Sequence, residues 1–195
     1  MRILIAGLIG GIVMFIWGSV VHTLLPIGEM GLHVPTDQPA ALSALAQTTK
    51  AGEGIYMYPS IEPEQMSDKA AMAAFVEANK DSPFAFVVYQ PGGNPVFANM
   101  APNLVKQLVT DILAALVAAW ILAMLVTGFQ KRVVVAGALG LFAWFAISVP
   151  YWNWYMFPVS FTLGALIEQV VGWVLAGAAI AWWLGRKQRV MGASR

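Results

Sequence analysis

The sequence contains no cysteine, and only 11% of its 195 residues carry a formal charge. Without cysteine the chain can form no disulfide bond, zinc–thiolate site, iron–sulfur cluster or thiol nucleophile. Soluble domains average about 25% charged residues, whereas this chain is 59% hydrophobic with a mean hydropathy of +0.69. The composition therefore predicts an integral membrane protein rather than a soluble domain with a large core.

Long uncharged runs predict four membrane spans. The first run exceeds the roughly 20 residues that cross a bilayer and is too long for the hydrophobic region of a signal peptide. The uncharged run from Val133 to Ile167 is too long for one crossing, so Pro150 and Pro158 are expected to bound an outer aromatic loop. The predicted boundaries are helix 1 over 3–25, helix 2 over 103–129, helix 3 over 133–149, the loop over 150–158 and helix 4 over 159–184.

The segment 26–102 differs from the spans because it is rich in acidic residues and proline. Asp37 and Asp68 each precede a predicted helix, and strands are expected near 54–59 and 84–90. This order predicts a small α+β domain. A domain of this size has a marginal core, so we expect it to depend on the membrane helices or on a partner.

Basic residues predict the orientation. Arg2, a tight turn at Gln130–Arg132 and a basic tail over 185–195 fall on one side of a four-span arrangement, and the acidic segment falls on the other. The positive-inside rule assigns the basic side to the cytoplasm. The predicted fold is an all-α membrane protein with four transmembrane helices, both termini cytoplasmic (N-in/C-in), and a small α+β extracytoplasmic domain between helices 1 and 2.

Three ionisable residues fall within the spans: His22, Asp111 and Glu168. Each shares a helical stripe with glycine or alanine, and small residues mark helix–helix contacts in membranes. Counting 1.5 Å per residue places all three toward the outer leaflet. We therefore expect an intramembrane polar cluster of these residues with Gln107, and less directly with Gln169.

Several roles remain open for this cluster. It could pair polar groups that fix the helix bundle, since an unpaired charge in lipid is costly. It could relay protons or cations, since two close carboxylates raise the pKa of one of the pair, which suits proton exchange. A metal held by one histidine and two carboxylates, or a haem on His22, lacks a supporting motif. The methionines have no repeated spacing that would indicate copper. We expect no catalytic residue, no metal and no cofactor.

The segment Pro150–Pro158 has the densest aromatic composition in the chain. Tryptophan and tyrosine prefer the membrane interface, so the segment is typical of an interfacial belt. Aromatic residues are also enriched in binding hot spots, which makes a partner-docking surface the alternative. The candidate docking residues are Tyr151, Trp152, Trp154 and Tyr155. No phosphate-binding, dinucleotide or hydrolase motif is present, and nothing indicates a nucleic-acid partner.

Two segments resemble those of a known group of proteins: Pro150-Tyr-Trp-Asn-Trp and the later Glu168-Gln-Val-Val-Gly-Trp173. Together with a Gly-rich first span and Gly54-Ile-Tyr, they make the chain similar to small bacterial four-span inner-membrane proteins of uncharacterised activity. The resemblance implies the topology and a bacterial inner-membrane location, and it implies no activity.

We expect a non-enzymatic accessory or assembly subunit of a larger inner-membrane complex, with a protein partner or a homo-oligomer. The alternative is a small proton or cation transporter or channel subunit.

Overall fold

The computed structural model describes the backbone of residues 1–192 and the side chains of residues 1–186. The chain divides into two compact units. One unit comprises Met1–His33 and Asn99–Arg195, and the other comprises Val34–Ala98. The smaller unit is thus shorter than the predicted domain over 26–102, because the turn after the first helix packs with the membrane helices.

Four helical segments within the described residues are long and apolar enough to cross a membrane, as predicted. The first is α1 (Arg2–Thr23) and the second is α4 (Ala101–Met124). The third joins α5 (Phe129–Ala143), a π-helical turn (Trp144–Ser148) and α6 (Val149–Tyr155). The fourth is α7 (Val159–Gly192).

Small residues hold together the unit Met1–His33 and Asn99–Arg195, which we call the membrane unit after its four candidate spans. Helix α1 packs against α4 and α7, and α5 packs against α7. The buried core is mostly alanine, supplemented by a few larger side chains: Ala6, Ala115, Ala118, Ala119, Leu122, Ala136, Ile180 and Leu184. Helices in lipid gain little from hydrophobic burial alone, so close backbone approach through small residues is the expected source of stability.

The connection between the second and third spans differs from the prediction. Helix α4 ends at Met124 instead of residue 129, and α5 begins at Phe129, so Gln130–Arg132 is helical rather than a tight turn. Arg132 explains the early end. Its Nε and Nη2 donate to the carbonyl oxygens of Leu122 and Leu125, each at 3.1 Å. These bonds satisfy carbonyls that lose their helical partners at the C-terminus of α4.

The predicted loop over 150–158 is wrong for most of its length, because the third span stays helical through Tyr155. Pro150 lies in the first turn of α6, directly after the π-helical turn. Proline has no N–H to donate, and the preceding π-helical turn has already shifted the backbone hydrogen bonds away from the α-helical pattern. The chain reverses at Met156, which adopts a left-handed conformation with φ 57°.

The last helix also extends beyond the prediction. It was expected to end at residue 184, yet its backbone remains helical to Gly192. Arginine, lysine and glutamine are good helix formers, and a single glycine at 185 does not stop a long helix. Of the predicted basic tail, Lys187, Arg189 and Arg195 lie outside the described side chains.

The smaller unit contains two helices and two strands in the predicted order: α2 (Gln38–Thr48), β1 (Gly54–Tyr58), α3 (Lys69–Asn79) and β2 (Ala85–Tyr89). Asp37 caps α2 by accepting from Ala40 N, and Asp68 caps α3 by accepting from the backbone N–H groups of Ala70 and Ala71. The strands pair antiparallel, with Ile55 opposite Val88.

Candidate functional site

A pocket of about 370 Å³ opens between α1, α4 and α7 within the membrane unit. It lies near the C-terminal end of α1 and the N-terminal ends of α4 and α7. All four residues of the predicted polar cluster line it, together with Gln169. Met14, Phe15, Met100 and Leu104 supply apolar walls. The site is therefore amphipathic, with polar side chains facing an apolar surface.

His22 and Glu168 meet across α1 and α7. The distance from His22 Nε2 to Glu168 Oε1 is 3.4 Å, and their side chains are 55% and 26% exposed. Gly172 allows this contact, because a Cβ at that position would collide with Met14 and Trp17. Trp17 Nε1 also donates to the Glu168 carbonyl oxygen at 2.9 Å. The helix contact thus fixes the depth of Glu168 relative to His22.

Asp111 and Gln107 form the second polar pair. Gln107 Nε2 donates to Asp111 Oδ1 at 2.9 Å, across one turn of α4. Glutamine paired with aspartate at this spacing is a familiar helix-surface contact. Both residues line the same pocket as His22 and Glu168. The structure therefore brings together two carboxylates, an imidazole and an amide.

A short turn after α1 closes one side of the site. Pro26–Glu29 forms a single 3₁₀ turn, and a Cβ on Gly28 would collide with the His22 imidazole. The same turn packs on α7, where a Cβ on Gly164 would lie 2.9 Å from the Ile27 carbonyl oxygen. The two glycines therefore let the turn pack closely against both helices.

The geometry bears on the metal and haem hypotheses. Among the described residues, no group of three or more histidine, aspartate or glutamate side chains is arranged to hold a metal ion. His22 Nε2 faces Glu168, and Gly28 lies beside Nδ1. This surrounding does not favour axial ligation by His22. The side chains that line the pocket can exchange protons, or bind a cationic or hydrogen-bonding group.

The aromatic segment lies apart from this pocket. Tyr151 packs near Tyr155 and Phe157, with ring centroids 5.5 Å and 5.2 Å away. Trp154 is 74% exposed, and Trp152 is partly exposed as well. The exposure of these side chains fits both roles considered from the sequence, an interfacial belt and a docking surface.

Sequence reasoning missed two residues with defined structural roles. Trp17 contacts Glu168, but no spacing signal distinguishes it from an ordinary span tryptophan. Arg132 is only 5% exposed, although its position beside Lys131 had indicated a tight basic turn. It is buried because its guanidinium bonds the carbonyl oxygens at the end of α4, a contact that the sequence did not reveal.

Comparison with family models, with curated proteins and with solved structures finds no match to this chain.

Proposed function

We propose that this protein is a non-enzymatic membrane protein that works by association, as an accessory or assembly subunit of a larger complex. The observation that carries the proposal is the absence of an apolar core in the fully described unit Val34–Ala98. Thr49, at 3% exposure, is the only buried residue of that unit. A unit that buries so little of its own apolar surface needs another surface for its stability.

The unit also presents an apolar sheet face. Ile55 and Val88 are cross-strand partners, as are Met57 and Phe86, so all four share one face. Ile55, Met57 and Val88 are 65%, 41% and 73% exposed. The opposite face differs, because Tyr56 and Tyr58 donate their hydroxyls to Gly52 O and Thr48 Oγ1. An exposed apolar face of this kind is typical of a protein interaction site.

The proposed setting is the bacterial inner membrane, with the unit Val34–Ala98 outside and both termini in the cytoplasm. The support is the charge distribution along the chain. Arg2, Lys131, Arg132 and Arg186 lie at the ends of spans that the positive-inside rule assigns to the cytoplasm. No acidic residue of the sequence lies beside them. The resemblance of the Pro150–Trp154 segment to bacterial inner-membrane proteins supports the same setting.

The association proposal is tested by native extraction in mild detergent followed by mass spectrometry. Wild type is expected within an assembly larger than the free chain. Val88→Lys places a charge on the apolar sheet face, and we expect it to reduce recovery of the assembly strongly. Gln47→Lys adds the same charge at an exposed position of α2 and serves as the matched control. If wild type runs as a free monomer, association is not its function.

A second candidate function is proton or cation movement through the polar pocket. The supporting observation is that His22, Gln107, Asp111 and Glu168 line one open cavity rather than being sealed between helices. Charged side chains within a membrane are costly and commonly mark ion or proton pathways. Four spans are few for a transporter, so this function would require a homo-oligomer.

Glu168→Gln tests this second candidate in reconstituted vesicles that carry a pH-sensitive dye. The substitution keeps the size of the side chain and removes its charge. If the candidate is right, wild type conducts protons or cations, and Glu168→Gln lowers the flux to that of protein-free vesicles. Glu29→Gln is the control, because Glu29 lies in the adjacent turn and does not line the pocket. Equal flux for wild type and Glu168→Gln would reject the pathway.

A further inference from the structure

A second pocket, of about 310 Å³, lies at the opposite end of the membrane unit. It is lined by residues from all four spans: Arg2, Ile3, Ala123, Leu125, Val126, Arg132 and Leu184. Two of these residues are arginines, and the others are apolar. We call it the two-arginine pocket. Its composition combines concentrated positive charge with an apolar wall, in a part of the molecule that the proposed function does not use.

The two guanidinium groups are held in place by backbone carbonyls. Arg132 donates to Leu122 O and Leu125 O, and Arg2 donates to Leu184 O. A guanidinium has five N–H donors, so each group keeps donors that these bonds do not occupy. Arg132 is only 5% exposed, which fixes its fork geometry. The pocket is therefore lined by two guanidinium groups, the side-chain group that binds phosphate in bidentate fashion.

No acidic side chain of the chain neutralises the charge of the two arginines. All ten acidic residues of the sequence fall within the described side chains, and none of them pairs with Arg2 or Arg132. The C-terminus of α4 contributes about half a negative charge through its dipole. That partial charge is small against two full positive charges, one of them buried. A buried cation without a counter-charge is costly, which favours an anionic ligand.

We propose that the two-arginine pocket binds a phosphate group, carried by a membrane phospholipid or by a phosphate ester in solution. Ile3, Leu125 and Val126 extend the pocket as an apolar surface, which suits the acyl region next to a phospholipid headgroup. Val126 is fully exposed in the chain. Basic pockets between transmembrane helices are a known mode of anionic headgroup recognition.

Native mass spectrometry of the full chain in detergent tests the proposal. The probes are phosphatidylglycerol, a diacylglycerol with the same acyl chains, and inorganic phosphate. We expect phosphatidylglycerol adducts and few diacylglycerol adducts. If inorganic phosphate displaces the lipid and binds by itself, the ligand is a soluble phosphate; if it does not, the ligand is the lipid. Equal binding of phosphatidylglycerol and diacylglycerol, with no bound phosphate, would overturn the proposal.

Two variants locate the binding. Arg2→Gln should weaken phosphatidylglycerol binding about fivefold, as expected for the loss of one basic residue near an anionic headgroup. Lys131→Gln removes the same charge from an exposed neighbour outside the pocket, and should change binding by less than about twofold. Equal losses would indicate unspecific surface attraction and overturn the site.

A further variant avoids any dependence on the folding of Arg2→Gln. Val126→Glu introduces a negative charge at an exposed position that lines the pocket and contributes nothing to the core. Because like charges repel, it should weaken phosphatidylglycerol binding at least as much as Arg2→Gln does. Unchanged binding by Val126→Glu would place the ligand elsewhere and overturn the proposal.

Discussion

At Gly7 and Gly11, α1 comes so close to α4 that no side-chain carbon fits between the helices. A Cβ at Gly11 would lie 2.5 Å from Ile112 Cα, and one at Gly7 would lie 2.8 Å from Leu116 Cα. Gly18 falls on the same face of α1, but a Cβ there would meet nothing within 4 Å. Glycines on the same face of α1 thus have different roles, because the helices diverge where the polar pocket opens.

This difference gives a matched pair of substitutions. Gly11→Ala should destabilise the folded protein by about 1–3 kcal/mol, because the added methyl group collides with backbone that cannot shift freely. Gly18→Ala adds the same methyl group to the same helix at an open position, so its effect should stay within about 0.5 kcal/mol. The measurement is the unfolding free energy in mixed detergent micelles. Equal effects of the two substitutions would mean that the α1–α4 contact is looser than the structure shows.

At the polar pocket, helical spacing and rise placed His22, Asp111 and Glu168 toward the same end of three helices, and the three side chains line one pocket. Counting residues from the ends of the spans left His22 several ångströms from the depth of the two carboxylates, and the tilt of helical side chains toward the N-terminus narrowed that gap. The spacing did not predict the Pro26–Glu29 turn over His22, because that arrangement depends on two glycines that let backbone contact a ring and a helix. Contacts of this kind arise from tertiary packing and leave no periodic signal.

At the scale of the helices, span number followed from hydropathy, whereas span ends did not. Helix α4 stops early because Arg132, ten residues away from Leu122, reaches back to its carbonyl oxygen. A buried arginine with backbone partners looks in the sequence like any charge at a membrane edge. The end of a helix is thus set here by a side chain from the next helix, which local propensity cannot report.

A proline in the third span also shows that the sequence alone did not predict where a helix ends. Pro150 predicted a helix end, since proline normally interrupts the interior of a helix. The π-helical turn at Trp144–Ser148 instead lets the helix continue to Tyr155. Trp144 also anchors this turn to α7, since its Nε1 donates to Thr162 O at 2.7 Å. The aromatic residues consequently lie on a helix with fixed directions rather than on a loop.

At the scale of the whole molecule, the two units differ in how they obtain stability. The membrane unit has a contiguous core of small residues, and the unit Val34–Ala98 buries only Thr49. The length of 26–102 predicted this weakness, because a domain of this size has a marginal core. The secondary-structure order of the unit also followed from its sequence, because aspartate caps and short β-branched or aromatic runs are strong local signals.

The proposed orientation of the membrane unit can be tested directly because the sequence has no cysteine. Ser60→Cys places a thiol at an exposed position of the unit Val34–Ala98, and Gln130→Cys places one at the exposed start of α5. If the positive-inside rule holds, a membrane-impermeant maleimide applied to intact spheroplasts will label Ser60→Cys. It will label Gln130→Cys only after the membrane is permeabilised. The reverse pattern would invert the topology and place the two-arginine pocket at the outer surface, where fewer anionic lipid headgroups would be expected to meet it.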